Sequence, residues 1–420
     1  MSHIEERVWR DGGVGRSRRD RQPCKYQVYI PDNLLGRQFL LDGPVAADVA
    51  DAEAAIARFN TDASALVNTE ALARILLRAE SVASSRIEGL VMGARRILKA
   101  EVDQGTEGLH VEISAKEVLA NINAMNYAIA SIEKGDLITL DQILEINREL
   151  LASTTLSSVG GKLREQQNWI GGNNFNPCSA DFVPPHWEVV SPLMADLVEF
   201  CNSDDLPAVA QAAIAHAQFA TIHPFLDGNG RTGRVLIQMI LRRRGLAERV
   251  IPPVSLVLAT WARDYVEGLM GTRYVGESDS ASAHAGFNLW VGRFAAACQR
   301  AVSDSLEFET KVGTIEQRWR SKLGTVRKGS SLDTLLKGLV GMPILTVATA
   351  MNLTRTTHKQ TNEAISVLVE AEILKSMSSR MRNRVYEAPE IIAAFAELER
   401  QLAGPNGVDT RRLSIRQRGV

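Results

Sequence analysis

The sequence predicts a mainly α-helical protein, and three observations carry that expectation. Of the 420 residues, 45% are hydrophobic and only 5% aromatic, with Ala and Leu prominent, a composition that favours helix. Apolar residues recur at helical spacing, as at Leu72, Ile75, Leu76, Ala79 and Val82. Turn signals such as Asp204 to Pro207 and the Pro252-Pro253 pair separate these segments. The length suffices for two or three domains with cores of their own.

Taken in order, Met1 to Gln22 is charged and Gly/Arg-rich without an apolar core segment, which argues against a secretory signal and for a mobile arm within residues 1–44. Tyr26 to Asp32 reads as a short extended segment. Helices are expected from Val45 to Arg58, over about 69–89, from Val111 to Glu133, Leu140 to Leu151, Ser191 to Asn202, Pro207 to Ile222 and Gly233 to Arg244, the pattern continuing with breaks to Ala301. Polar residues and paired glycines from Arg164 to Asn174, followed by Phe182-Val183-Pro184-Pro185, argue for a hairpin or loop over about 164–185. Near residue 305 the character changes. A linker helix over 305–330, with Arg318, Arg320, Lys322, Arg327 and Lys328, leads into Gly329-Ser330-Ser331.

Beyond it, Leu332 to Val340, Thr346 to Met351 and Arg355 to Glu370 read as three helices, with Asn352-Leu353-Thr354 as the turn before the third and Ile373 to Tyr386 as a two-stranded wing. That layout resembles a winged helix-turn-helix domain over 331–400, with a basic tail at 401–420. Its candidate DNA contacts are Arg355, Thr357 and Lys359 on the third helix, and Arg382 on the wing, where Arg380 and Arg384 share its face. Residues 346–387 hold six Lys/Arg against four acids, an excess too small for strong phosphate affinity unless the tail residues Arg411, Arg412, Arg416 and Arg418 join in. Winged helices also serve as protein-docking or dimer modules, so both readings stand.

A formal charge of −1 gives no global pull toward nucleic acid or membrane, and no apolar run is long enough to span a bilayer. Cys24, Cys178, Cys201 and Cys298 are scattered without metal-ligand spacing, which suits a reducing cytosol and a cytoplasmic protein.

The most informative stretch is His223-Pro224-Phe225-Leu226-Asp227-Gly228-Asn229-Gly230-Arg231-Thr232-Gly233-Arg234. Pro224 disfavours the α conformation at His223 and cannot continue a helical ladder, so the preceding helix should stop there. Gly228 and Gly230 permit close approach of main chain to a ligand, and the following helix would point unpaired N–H groups at an anion. Arg231 and Arg234, three apart, share a helical face. Asp227 offers the hard oxygen that Mg²⁺ prefers. No Gly-Lys-Ser/Thr follows the glycines, so this is not a Walker A loop. His216, seven residues before His223, reads as a structural histidine.

At every position this stretch resembles the signature of the Fic (filamentation induced by cAMP) family, H-P-F-x-D/E-G-N-G-R-x-x-R. The resemblance implies a Fic-fold helical core over residues 45–304 and transfer of AMP from ATP to a Ser, Thr or Tyr hydroxyl of a protein. It implies that His223 is the general base, that Asp227 holds Mg²⁺, that Gly228, Asn229 and Gly230 form the anion hole, and that Arg231 and Arg234 bind the phosphates. Phe225 would be the buried anchor under the loop. The related Doc kinases depart from the pattern within the glycine turn, which is intact here, so phosphotransfer is the less expected chemistry.

Upstream, Ser84-Ser85-Arg86-Ile87-Glu88-Gly89 places Ser84 and Glu88 on one helical face. By itself the segment reads as a surface helix with solvated charges and Gly89 as a stop. Beside the signature it resembles the family's inhibitory S/T-x-x-x-E-G/N motif, whose glutamate pairs with the second arginine. That implies an inhibitory helix over about 69–89, an intramolecularly inhibited enzyme, a second role for Glu88 in removing AMP, and a homodimer. The 164–185 segment would be the family's flap, with Asn168, Trp169, Ile170, Gly171 and Gly172 docking the target by strand addition; otherwise it is a plain surface hairpin. The alternative function is a DNA-binding transcription regulator that uses the same domain as a nucleotide or self-modification sensor.

Overall fold

The structure is a computed structural model that describes residues 1–10, 23–63, 69–104, 111–173, 175–377 and 384–401. It is mainly α, as the composition predicts. Helices α1 (Gly43–Ala63), α2 (Thr69–Ile87), α3 (Ala94–Gln104), α4 (Ile113–Ala130), α5 (Leu140–Leu151), α6 (Val190–Cys201), α7 (Ala208–Ile222), α8 (Asn229–Arg243), α9 (Val254–Thr260) and α10 (Ala262–Gly271) build the main body. At its centre lies α7, apolar and buried almost all round, as a helix packed on every side must be. Helices α8, α6 and α1 pack against it, and α4 and α5 flank α8.

Local signals fix several ends. Thr139 accepts from Gln142 N, and Gln142 reaches back to the Thr139 backbone, so α5 begins on a capping box at the expected residue. Gly89, at φ +84°, follows the end of α2. Helix α8 begins four residues before the expected Gly233, because left-handed Gly228 serves as its N-cap. Helix α2 is buried over most of its length between α4, α8 and α9.

The helix α11 (Ala281–Leu323) has 43 residues, about 65 Å at 1.5 Å per residue. It packs on α1 and α7 early and on the terminal helix late. The change of character expected at 305 therefore falls inside one continuous helix, and a linker helix does not start there. After α11 come α12 (Ser331–Gly338), β3 (Ile344–Thr346), α13 (Val347–Thr354), α14 (His358–Glu370), β4 (Lys375–Ser376), β5 (Val385–Glu387) and α15 (Pro389–Gln401). The three strands form an antiparallel sheet in the order β3-β5-β4. Asn352-Leu353-Thr354 is the last turn of α13, not the expected linker. The break comes at Arg355, which turns left-handed at φ 51°, and Thr357 then caps α14 by accepting from Gln360 N.

The expected N-terminal arm is structured where it is described. Strands β1 (His3–Trp9) and β2 (Cys24–Ile30) pair antiparallel, from His3 opposite Ile30 to Trp9 opposite Cys24. Long-range partners hold them: Tyr29 N donates to Val183 O at 3.1 Å, and Ser2 bridges to Gly276. Cys24 is bonded to Cys178 across 154 residues, whereas Cys201 and Cys298 are free and buried. The cysteines that suited a reducing cytosol thus include a disulfide, a bond that such a compartment does not ordinarily keep. Among the described residues no helix is long and apolar enough to cross a membrane.

Candidate active site

The site is built where α7 stops and α8 starts. His223 caps α7 in a left-handed conformation, φ 50° and ψ 59°, its N–H still bonded to Phe219 O at 2.9 Å. A non-glycine residue there costs about 1 kcal/mol or more, so its surroundings must hold it. Arg164 does this. Its Nε donates to His223 O at 2.9 Å, its Nη2 to Ile222 O at 3.3 Å and to Pro185 O, and its backbone N–H to Pro224 O at 2.9 Å. Asn168 Nδ2 adds bonds to Phe225 O at 2.9 Å and His223 O at 3.3 Å. The base of the hairpin thereby pins the carbonyls of the loop that begins at His223.

Below, Phe225 is fully buried. Asn229 closes the turn: its Oδ1 accepts from Phe225 N and its Nδ2 donates to Phe225 O, both at 2.8 Å. The Asn229 side chain is thus spent on the loop. Its contribution to an anion site is the backbone N–H at the start of α8, where orphan donors carry the positive end of the helix dipole. Gly228 has φ +79°, and a Cβ there would lie 2.9 Å from Asn147 Nδ2, which donates to Asp227 O at 2.9 Å.

The two arginines of this turn are in different states. Arg234, 1% exposed, donates from Nη2 to Glu88 Oε1 at 2.7 Å and Ser84 O at 2.8 Å, and from Nε to Ser84 Oγ at 2.9 Å. Its Nη1 lies 3.4 Å from the Tyr265 hydroxyl. Arg231 is equally buried, yet its Nε and Nη1 have no partner among the described residues. Glu88 fills the space over the glycine turn, for a Cβ on Gly230 would fall 1.9 Å from its Oε1. Burial pushes the Glu88 carboxyl up, but the Arg234 guanidinium, with Arg231 and His223, outweighs it and holds the pKa below the usual value. Glu88 and Tyr265 likewise overcome burial at Arg234 and raise it.

Burial, with Arg164 and Arg273 nearby, draws the His223 imidazole down to about 4, so it is neutral at physiological pH. His216 is drawn to about 3 by burial and Arg234, and bonds the Tyr265 hydroxyl at 2.8 Å. It packs and orients, as expected of a structural histidine. Asp227 is exposed at the mouth of the loop, its Oδ1 accepting from Gly228 N at 2.6 Å. Among the described residues no three His, Cys, Asp or Glu cluster to hold a metal unaided. A lone exposed carboxylate is what a phosphate-bound Mg²⁺ takes from a protein.

Over the loop, Ile170 N donates to Phe182 O at 2.9 Å and Asp181 N to Ile170 O at 2.8 Å, the antiparallel pairing of the expected hairpin. Gly171 and Gly172 turn it at positive φ, and a Cβ on Gly171 would overlap the Asp181 carboxylate. Trp169 Nε1 donates to Asn173 O at 2.7 Å, and its ring meets Trp9 of β1 edge-on at 5.5 Å. Asn174 lies outside the described residues. So do Arg380, Arg382 and the tail arginines. Arg355, Thr357 and Lys359 are exposed at the start of α14.

Sequence reasoning missed Arg164, Asn147, Tyr265 and Arg273 as site residues. An arginine opening the polar hairpin run was the only visible signal. Asn147 and Tyr265 sit on α5 and α10, where spacing offered none.

Residues 137–241 match the family model described as Fic/DOC family, and residues 46–130 match that of the Fic/DOC family N-terminal region. The chain is similar to "Protein adenylyltransferase Fic" of Culex quinquefasciatus, 34% identical over 213 residues, 47% of this chain and 39% of that protein. It is similar to "Protein adenylyltransferase fic-1" of Caenorhabditis briggsae, 34% identical over 149 residues, 35% of this chain and 26% of the other. The chain thus spans about a quarter to two fifths of the length of these curated relatives. A Fic family protein from Desulfovibrio desulfuricans G20 shares the fold, with TM-score 0.51 and 20% identity over 83% of this chain and 97% of that one.

Proposed function

From the premise that this chain is a Fic family protein, we propose that it is a protein adenylyltransferase held off by Glu88. The observation that carries the reading is one loop bearing a neutral His223, the open N-terminal amides of α8 and an uncommitted Arg231. In the reaction, the hydroxyl oxygen of a target Ser, Thr or Tyr forms a bond to the α-phosphorus of ATP, and the bond from that phosphorus to the bridging oxygen of the β-phosphate breaks. His223 takes the hydroxyl proton, and diphosphate leaves. The amides of Asn229 and Gly230 and the Arg231 guanidinium receive the phosphate charge, and Gly228, whose own N–H is bonded to Asp227 Oδ1, supplies the left-handed turn that presents them. Asp227 would hold Mg²⁺, which supplies charge neutralisation at the phosphates.

Glu88 blocks this arrangement in two ways: it engages Arg234 and it fills the space over Gly230. A nucleotide phosphate has to displace a charge-assisted pair to enter. The same ionised carboxylate suits positioning water for hydrolysis of the AMP ester. Asn168, Trp169, Ile170, Gly171 and Gly172 would align the target, since Ile170 stands 37% exposed on a hairpin fixed over the loop. A homodimer is proposed, with support from the exposed apolar side chains Val266, Met270 and Leu289 on α10 and α11. For the winged-helix reading of 331–400, support comes from the order α12-β3-α13-α14-β4-β5. DNA contact through Arg355, Thr357 and Lys359 is the second reading, tested by salt-dependent gel shifts. The test of the main reading is ATP labelled on either phosphate: the α label should pass to protein and the γ label should not. Transfer of the γ label would make this a kinase.

A further inference from the structure

The inhibitory helix α2 has a second neighbour besides the catalytic loop. Its N-terminal half is the seat of the C-terminal module. Gly341 lies so close to it that a Cβ there would fall 2.8 Å from Ala71 Cα, and Arg78 Nη1 donates to Gly341 O at 2.6 Å. Near its other end Arg86 faces the Glu399 carboxylate of α15 at 3.9 Å, and that carboxylate accepts from Ala94 N at 3.2 Å. Between these contacts the two bodies part around a cavity of about 1320 Å³. Arg74, Leu77 and Arg78 of α2, three and four residues apart on one face, form one wall, and His358, Asn362 and Ser366 of α14, each four apart, form part of the other.

The wall chemistry is specific. Arg74, Arg78, Arg384 and His358 line it with a single lining carboxylate, Glu101; Arg78 holds Glu101 by two bonds and Arg74 pairs with Glu70 at 2.7 Å, so an anion entering the cavity would share these guanidinium groups with the carboxylates. The N-terminal turn of α13, from Thr346 to Thr349, adds the positive end of a helix, while Leu98, Ile122, Met342 and Tyr386 provide apolar surface. The volume exceeds that of ordinary small-molecule pockets, and it combines apolar walls with a few convergent polar groups as they do.

We propose that this cavity is a binding site for a small organic anion with an apolar body, and that its occupant strengthens the inhibition of the active site. The direction follows from the state in which the cavity is formed. Here the Glu88–Arg234 pair is closed and the cavity is complete, so a ligand that fits it binds the locked state best and shifts the population toward it. Transmission needs no wire beyond α2 itself. Arg74 lies in the second turn of α2 and Glu88 in the turn that directly ends it, about 21 Å along the axis, so holding the helix against the C-terminal module holds Glu88 over Gly230. The coupling rests on the reading of Glu88 as a lock; the site does not.

The test uses the full chain and 8-anilinonaphthalene-1-sulfonate, an aromatic sulfonate whose fluorescence rises on apolar burial. Saturable binding at one site per chain is expected, lost in both Ala348→Trp and Ser366→Trp. These two lining positions are exposed, so the fillers make no demand on the core. Binding should persist in Glu88→Gly. Adenylate labelling from α-labelled ATP should fall about fivefold or more with probe in the wild type and stay constant in Glu88→Gly. No saturable binding, or binding that both fillers retain, overturns the site. Binding with unchanged wild-type labelling overturns the coupling. Failure of the lock itself is read separately, as a Glu88→Gly variant that labels no faster than wild type without probe.

Discussion

The floor and the roof of the site hold the same loop by opposite means. Below, the first turn of α8 meets α2 through charge: a guanidinium, a carboxylate and an open helix end, with Arg234 committed and Arg231 uncommitted. Above, the hairpin holds the loop through carbonyls, taking up the backbone oxygens of Ile222, His223, Pro224 and Phe225 with Arg164 and Asn168. A second ligand can compete for the floor, since a phosphate offers Arg234 what Glu88 offers it. No phosphate competes for the roof. On the proposed function, switching therefore belongs below, and positioning above.

The largest effect should come where the two meet. His223→Ala removes the proton acceptor, and labelling from α-labelled ATP should fall by about 100-fold or more. Comparable labelling in that variant would mean that the loop binds nucleotide without acting as the base. Next is the floor alone. Glu88→Gly frees Arg234 from a charge-assisted bond worth about 2 kcal/mol, so labelling should rise on the order of tenfold or more, with a lower KM for ATP. If labelling stays at the wild-type level, the pair is an ordinary structural bridge and the contrast with the roof disappears.

The roof should respond to redox state instead. Cys24–Cys178 ties β2 to the hairpin, and Cys178 is exposed to reductants, while Trp9 of β1 meets Trp169 of the hairpin edge-on. In a Glu88→Gly background, Cys178→Ser should raise KM for a protein target severalfold and leave that for ATP within about twofold. Equal shifts in both would show that the hairpin also shapes the nucleotide site. This half of the molecule was the least legible in the sequence. The turn from His223 to Arg234 is a local arrangement, and spacing alone exposed its histidine, glycines and arginines; Ser84 and Glu88 were visible as one helical face. The bond from Cys24 to Cys178, the bridge from Tyr29 to Val183 and the reach of Tyr265 to Arg234 join residues far apart in the chain, and no period records them. The bonds that occupy the Asn229 side chain are likewise absent from any spacing, because they appear only when the loop closes.

The smallest effect, and the finest test of the roof, is on pH. His223 sits at about 4 because its ring is withdrawn from water and because Arg164 and Arg273 oppose a second positive charge. The sign is that of a histidine favoured in its neutral form. Its contribution to stability is complete above the ordinary value near 6.5, declines as the pH falls from there, and is gone once the folded value is passed. For catalysis the consequence is an absent acid limb near neutrality. In Glu88→Gly, kcat/KM for ATP, which reports groups of the free enzyme, should hold level from about pH 8 to about pH 6 and drop only as the pH nears 4. Replacing Arg273 by Met removes one of the two opposing cations while leaving the loop carbonyls bonded to Arg164, so the limb should move upward by less than about one unit. A limb already near 6.5 in the parent would mean that water reaches the imidazole freely, and that the hairpin positions the loop without sealing it.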